Sequence, residues 1–399
     1  ITHIFYIYVS YIFLISIYCI YVSNEVSVFD KIKADKKYKI KVLKDALNNA
    51  GIKPQSSMKR NDLIKLFLDR GGIVDKDGTL LLKNATKSEV KFQKPFLKWV
   101  GGKTQIIQTL VKYFPNEMDN YHELFLGGGS VLLALLSLQR DNKIKINGKL
   151  YAYDFNEALI NVYKNIQSNK DELFDTLSKY VNAYDSIKTT EILINRKPKD
   201  ITDALQNKEN YYYWLRAMYN EKYKTTDKHT IDCSALFIFI NKTCFRGMYR
   251  EGPNGYNVPY GHYKKTPTFI TKTELDTISD LIKDVEFIHS SFEESFENIK
   301  ENDFVYLDPP YAPENNKSFV GYTEDGFNLD THNNLFEHTK TLNKNLNKKN
   351  SRFIMSNAKV DLVTSNFPQT EYKIVDVTTR RAINSKNPES TTTEVFIMN

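Results

Sequence analysis

Residues Phe304–Tyr311 read Phe-Val-Tyr-Leu-Asp-Pro-Pro-Tyr, and no other stretch narrows the possible architectures as far. Four mostly apolar residues have the pattern of a buried strand. The run enters a carboxylate and then two prolines, which cannot continue a central strand. The strand must stop abruptly and leave Asp308 and Tyr311 at its carboxyl end. In open α/β sheets that edge is where ligands bind. Pro309 and Pro310 fix the backbone and lack N–H groups, so the surrounding carbonyls stay free to accept hydrogen bonds. An acceptor carboxylate, a spare carbonyl and a flat ring form a clamp for a planar group bearing an amino substituent. The competing reading is a strand closed by a Pro-Pro turn with no chemistry.

From Lys94 onward the pattern is α/β. Strand-like runs at Glu123–Leu126, Leu150–Tyr153, Phe304–Leu307, Phe353–Met355 and Glu394–Met398 alternate with helical stretches. That alternation calls for a mostly parallel sheet covered by helices on both faces. Residues 165–280 interrupt it with long helical, polar, Tyr-rich sequence, and an insertion of that size forms a domain of its own. The sheet domain then comprises residues 94–164 and 281–399.

The N-terminal part divides into a leader (1–38), a helical segment (39–71) and a polar linker (72–93). Residues 1–23 carry no Asp, Glu, Lys or Arg and satisfy the length and apolarity criterion for a membrane span. The chain begins with Ile and its first methionine is Met58, so we read this leader as non-native sequence in preference to an anchor. No membrane partner is expected unless residues 1–23 are native. In the segment 39–71, Leu43, Leu47 and Ile52 precede or border the break Gly51-Ile52-Lys53-Pro54. Leu63, Ile64, Phe67 and Leu68 follow it at helical spacing. The layout resembles the SAP motif, a small helix-turn-helix module associated with DNA binding. Lys41, Lys44, Lys59, Arg60 and Lys65 suit phosphate contacts. A small helical hairpin with a solvated basic face is the alternative.

The net charge is +7 over 399 residues, which permits a polyanionic partner without demanding one. Cys19, Cys233 and Cys244 are far apart and form no C-x-x-C pair. That disfavours a disulfide framework or zinc site and suits a reducing compartment. No metal is expected.

Lys98-Trp-Val-Gly-Gly-Lys-Thr104 invites a phosphate-loop reading, but Leu97 stands where the first glycine of that loop belongs. A glycine turn starting a helix over Gln105–Phe114 remains, or a turn presenting Trp99 and Lys103 to a ligand. Glu123–Val131 is stronger: a strand enters Gly127-Gly128-Gly129 and leaves as an apolar helix, Ser130–Leu138. Such a loop brings a cofactor close to the backbone at a helix N-terminus. It is not the dinucleotide fingerprint, because the third glycine position is Leu132. Asp154 ends the next strand, where an acid grips ribose hydroxyls, although it could also cap the helix from Glu157. A nucleoside cofactor without a pyrophosphate cradle points to S-adenosyl-L-methionine. Farther on, Gly252-Pro-Asn-Gly255 predicts a hairpin carrying Arg246, Tyr249 and Arg250 on one arm and Tyr256 and Asn257 on the other. Guanidinium groups read guanine edges or grip phosphates.

The order of these parts closely resembles the DNA adenine-N6 methyltransferases of the Dam type, the alpha class. It runs Lys-Trp-x-Gly-Gly-Lys, Phe-x-Gly-Gly-Gly, Asp154, an inserted hairpin domain, then Asp-Pro-Pro-Tyr. The resemblance covers about Lys94 to Asn399. It implies a Rossmann-like methyltransferase fold of seven strands with a reversed final strand, Thr379–Asn399 supplying the terminal hairpin. It also implies a mainly helical recognition domain that carries the β-hairpin. By motif, Trp99, Lys103, Asp154 and Asp308 would contact S-adenosyl-L-methionine, with Phe125, Gly127 and Gly129 beneath its methionine part. Asp308, Pro309, Pro310 and Tyr311 would form the pocket for a flipped adenine. Lys98, Arg246, Tyr249, Arg250 and Asn257 would contact double-stranded DNA. The implied protein is an intracellular, DNA-bound monomer.

One departure stands out. The family commonly has an acid before Phe at the end of the fourth strand, and here the pair is Ser291-Phe292, with Glu293 or the Ser291 hydroxyl as substitutes. Two competing readings are a catalytically dead DNA-binding module and an enzyme acting on RNA or protein amides. Intact motifs argue against the first. The second class usually shows Asn-Pro-Pro-Tyr and lacks the inserted hairpin. The target is GATC or another adenine-containing tetranucleotide, since Arg246 stands where Asn is common.

Overall fold

The computed structural model describes residues 32–49, 52–70, 72–74, 77–82, 90–188, 194–263, 265–313, 327–346, 352–380 and 391–399. The apolar leader, residues 1–23, lies outside them. The chain divides into two compact units, Ile1–Lys91 and Phe92–Asn399. Residues 1–91 hold sixteen Lys and Arg against nine Asp and Glu, whereas residues 92–399 hold thirty-nine of each. The net charge therefore resides wholly in the first unit. Among the described residues no helix is long and apolar enough to cross a membrane.

In the first unit two helices, α1 (Ile40–Asn49) and α2 (Arg60–Asp69), face each other. Leu43 and Leu47 of α1 and Leu63, Ile64 and Phe67 of α2 are fully buried together, with Ile52 and Leu68 at the margin. The linker expected from residue 72 instead begins with two antiparallel strands, β1 (Gly72–Val74) and β2 (Leu80–Leu82). Val74 and Leu80 pack on the helical core. Gly72 allows the close approach, since a Cβ there would lie 2.4 Å from the Phe67 ring. Arg60 is no free phosphate contact. Its guanidinium donates to the carbonyls of Ile32, Lys33, Asp35 and Tyr38.

The second unit runs through β3 (Tyr121–Glu123), α3 (Ser130–Arg140), β4 (Leu150–Asp154) and α4 (Glu157–Ser168). The insertion follows with α5 (Lys170–Ser186), α6 (Lys208–Tyr223), α7 (Ile231–Thr243) and the short strands β5 (Glu251–Gly252) and β6 (Gly255–Tyr256). The sheet resumes after α8 (Lys272–Ile282) with β7 (Val285–His289), α9 (Phe292–Phe296) and β8 (Phe304–Leu307). It ends with α10 (Leu329–Leu346), β9 (Arg352–Ala358), α11 (Asp361–Asn366), β10 (Lys373–Arg380) and β11 (Thr391–Met398).

Seven strands form one sheet in the order β10-β11-β9-β8-β3-β4-β7. Only β11 is reversed, pairing antiparallel with both β9 and β10. The fold is thus the expected seven-stranded methyltransferase sheet. β8 lies between β3 and β9 with all four residues buried, which is why its sequence does not alternate. Asp303, just before β8, accepts from the Asn120 N–H at 3.1 Å and pairs with His122 Nε2 at 2.9 Å, tying β8 to β3 in register. From β3 the chain steps outward to β4 and β7, then returns on the other side of β3 as β8. That reversal opens a crevice between the ends of β3 and β8.

Three expected boundaries move. The strand at Glu123–Leu126 lies earlier, at Tyr121–Glu123, because Leu124–Leu126 already lead into the glycine turn. The helix over Gln105–Phe114 is a helical turn at Lys103–Gln105, a short helix at Ile107–Leu110 and another turn at Val111–Tyr113. Lys103 pins its start, its N–H donating to Ser130 Oγ at 3.0 Å. The terminal hairpin begins at Lys373, with β10 paired to β11 over eight residues.

The insertion is built around α7. Its sequence Ala-Leu-Phe-Ile-Phe-Ile is apolar on every face, and Ala235–Ile240 are buried between α5, α6 and α4. Tyrosines tie the hairpin to this bundle. Tyr212 Oη donates to the Val258 carbonyl at 2.7 Å, and the Tyr256 carbonyl accepts from Asn220 Nδ2 of α6 at 3.0 Å.

Candidate active site and DNA-facing hairpin

The crevice at the strand ends is lined by loops whose conformation glycine makes possible. Gly127 and Gly129 have φ of +50° and +69°, a region that other residues enter at a cost of about 1–2 kcal/mol. A Cβ at Gly127 would lie 2.9 Å from Trp99 Cδ1, and one at Gly129 would lie 2.3 Å from the Tyr163 hydroxyl. The loop is therefore pressed between the Trp99 indole and Tyr163. Asp154, at the end of β4, accepts from the Gly127 N–H at 2.8 Å and from the Asn156 N–H at 2.9 Å. It does not cap α4. Asn156 does so, accepting from the Leu159 N–H at 3.0 Å. Beside Asp154 the Phe155 ring is 61% exposed. Phe125 packs against Phe292 and Phe327.

Asp308 follows β8 directly and meets Lys103. The Lys103 ammonium lies 2.6 Å from Asp308 Oδ1, donates to the Gly101 carbonyl, and sits 4.9 Å from the centre of the Tyr311 ring. Lys103, expected at the cofactor, pairs with the Asp-Pro-Pro-Tyr carboxylate. Burial pushes the Asp308 carboxyl up to about 6, with Lys103 pulling it down and Glu394 adding a smaller push upward. Glu123 ends β3 nearby, 1% exposed, its Oε2 accepting from the Tyr121 hydroxyl at 2.7 Å. Burial raises its pKa, and the charges of Asp308 and Asp154 raise it further. Asp154 is raised by burial as well. Three carboxyl groups thus stand at the ends of three adjacent strands, and Lys103 pairs with that of Asp308.

The hairpin divides the expected DNA contacts. Arg250 and Asn257 face each other across it, exposed, with Arg250 Nε donating to Asn257 Oδ1 at 2.6 Å. Arg246 is exposed in a left-handed turn, φ +57°. Tyr249 is not beside them. Its ring stacks on Trp99 at 5.7 Å and contacts Phe237, so it links the hairpin to the glycine loop. Lys98 Nζ lies 4.1 Å from the Tyr263 ring centre. The Asn241 amide holds the Lys98 backbone in both directions, accepting its N–H at 3.0 Å and donating to its carbonyl at 2.8 Å.

A family model described as D12 class N6 adenine-specific DNA methyltransferase matches residues 99–383, which include the glycine loop, the insertion and Asp-Pro-Pro-Tyr. The chain belongs to the D12 class. It is 34% identical over 301 residues to the type II methyltransferase M.MjaIII of Methanocaldococcus jannaschii, covering 73% of this chain and 93% of that protein. It is 27% identical over 312 residues to a DNA adenine methylase of Haemophilus influenzae, covering 77% and 93%. A type II methyltransferase of Lactococcus lactis, M1.LlaDCHI, is 26% identical over 311 residues. The activity of this D12 chain is accordingly site-specific methylation of adenine in DNA.

Against that background the Ser291 departure has a structural use. Ser291 caps α9: its hydroxyl accepts from the Glu294 N–H at 3.4 Å, and Glu294 reaches back to the Ser291 N–H at 3.3 Å. Glu293 accepts from Asn334 Nδ2 at 2.9 Å. Among the described residues no group of three or more His, Cys, Asp or Glu side chains is placed to hold a metal ion. Sequence reading missed four residues of this D12 crevice: Glu123, Phe155, Asn357 and Glu394. Asn357 Oδ1 accepts from the Ala312 N–H at 3.0 Å, holding the loop just past Tyr311.

Proposed function

We propose that the crevice binds S-adenosyl-L-methionine and that a flipped adenine enters the Asp-Pro-Pro-Tyr pocket beside it. The observation that carries this reading is the adjacency of the glycine loop after β3 and Asp308 after β8, at the point where strand order reverses. The donor is a cation at sulfur, and Asp308, ionised above about pH 6, supplies an opposite charge. Asp154 takes the ribose hydroxyls, Phe155 covers the adenine ring of the cofactor, and Trp99 with Gly127 and Gly129 shapes the space for its methionine part.

Adenine N6 is a poor nucleophile because its lone pair is delocalised into the ring. Asp308 and the Pro309 carbonyl each accept one N6–H bond, favouring a more tetrahedral nitrogen in line with the methyl group. Lys103 occupies Asp308 Oδ1 and leaves Oδ2 for the base. Tyr311 supplies the stacking surface, Pro310 holds the turn, and positioning supplies much of the acceleration.

Arg250 with Asn257 reads base edges, while Lys98 and Arg246 hold the backbone. Tyr249, packed on Trp99, acts from beneath the hairpin. The basic first unit binds DNA phosphates without reading sequence, and the reading takes a single chain as the active unit because one chain supplies both crevice and hairpin. The test is transfer of tritiated methyl groups to plasmid DNA, followed by methylation-sensitive digestion, for wild type and Asp308→Ala. Wild type should label adenine and Asp308→Ala should not. Incorporation by the variant above a small fraction of wild type would exclude Asp308 as the N6 acceptor.

A further inference from the structure

The reversed strand β11 brings a second carboxylate to the catalytic loop. Glu394 lies opposite Ala358 of β9 and Val377 of β10. Its Oε2 accepts from the Tyr311 hydroxyl at 2.7 Å and its Oε1 accepts from Thr379 Oγ1 at 2.9 Å. Both oxygens are committed, one to the Asp-Pro-Pro-Tyr loop and one to β10. An O–H···O⁻ bond of this length belongs to the strong, charge-assisted kind.

Pro310 constrains the backbone before Tyr311, but it does not set the direction of the Tyr311 side chain. The hydroxyl lies on the long axis of the ring, so anchoring it fixes where the ring points. Lys103 bounds the same ring, 4.9 Å from its centre. A fixed tether at one end and a cation against the ring leave it a defined, pre-set surface. The fold keeps this arrangement although the second negative charge works against ionisation of Asp308. An apolar neighbour would avoid that conflict and would not hold the phenol.

We propose that Glu394 is a positioning residue for methyl transfer, acting through Tyr311 to hold the surface on which the target adenine stacks. This rests on the reading of Tyr311 as the stacking ring. The full chain would be compared as wild type, Glu394→Ala, Glu394→Gln, Tyr311→Phe and the double variants with Tyr311→Phe. The duplex carries the adenine mapped from methylated plasmid. Single-turnover methyl transfer, S-adenosyl-L-methionine affinity and thermal stability are measured, with 2-aminopurine at the target position reporting flipping.

Glu394→Ala and Tyr311→Phe should each slow transfer by about tenfold, with cofactor affinity held within about twofold and the double variant no slower than the slower single. Glu394→Gln, which keeps an acceptor, should fall between. Additive losses, or a full rate in Tyr311→Phe, would overturn the proposal. A loss confined to cofactor affinity would overturn it too. If Glu394→Ala does not fold, the cycle with Glu394→Gln carries the same decision. If wild type gives no 2-aminopurine signal, the flipping reading fails by itself, and the rate cycle still decides whether Glu394 works through the hydroxyl.

Discussion

At the scale of single residues, the Lys103–Asp308 pair sets the pH response. Asp308 is the stronger, acceptor-only group when ionised, and burial lifts its pKa to about 6. Methyl transfer at saturating cofactor should therefore be full above that pH and fall as pH drops through it. Removing the cation with Lys103→Met should move the acid limb upward by about one unit or more, and pH–rate profiles of the two proteins check this. A second residue-scale prediction concerns Gly129→Ala, which combines an unfavourable φ with a clash against the Tyr163 hydroxyl. It should lower stability in denaturant melts by at least about 1–2 kcal/mol, and adding Tyr163→Phe should recover the clash but not the backbone part. Asp308, Asp154 and Trp99 were legible because each sits inside a short motif. Glu394 was not, since its contact with Tyr311 spans 83 residues and arises from strand pairing. The one available signal was that it is the only charged residue in Thr391–Asn399. The stacking of Tyr249 on Trp99 has no local signal in the sequence.

At the scale of elements, the β5–β6 hairpin carries the sharpest test. Arg250→Ala should cost about 1–3 kcal/mol on cognate DNA and little on non-cognate DNA if Arg250 reads a guanine edge. Because Asn257 Oδ1 holds the Arg250 guanidinium, Asn257→Ala should reproduce part of that loss, and the double variant should lose less than the sum. Equal losses on matched and mismatched duplexes across a salt series would reassign Arg250 to phosphate. The elements themselves were readable in proportion to their burial. β8 appears residue for residue as its unbroken apolar run predicts, and the Gly-Pro-Asn-Gly turn falls where its residue types require. The helix expected over Gln105–Phe114 is divided into a helical turn, a short helix and another turn. β1 and β2 were hidden because three-residue strands carry no usable periodicity.

At the scale of the whole molecule, charge and catalysis occupy different units. With all net charge in residues 1–91, sequence-independent attraction to DNA should depend on that unit. Lys41→Ala, Lys44→Ala and Lys65→Ala in the full chain should each reduce the slope of log affinity against log salt by about one, while Arg60→Ala should lower stability instead. An unchanged slope would sink the assignment. The reversed strand has a consequence in the order of synthesis. β11 is made after both of the strands that flank it, so until it slots between β9 and β10 those two edges stay unpaired and Glu394 is missing from the crevice. A growing chain that has already displayed its glycine loop and Asp308 still lacks the carboxylate that holds the Tyr311 hydroxyl, and stalled ribosomal complexes ending before Thr391 should transfer methyl groups more slowly than the full chain.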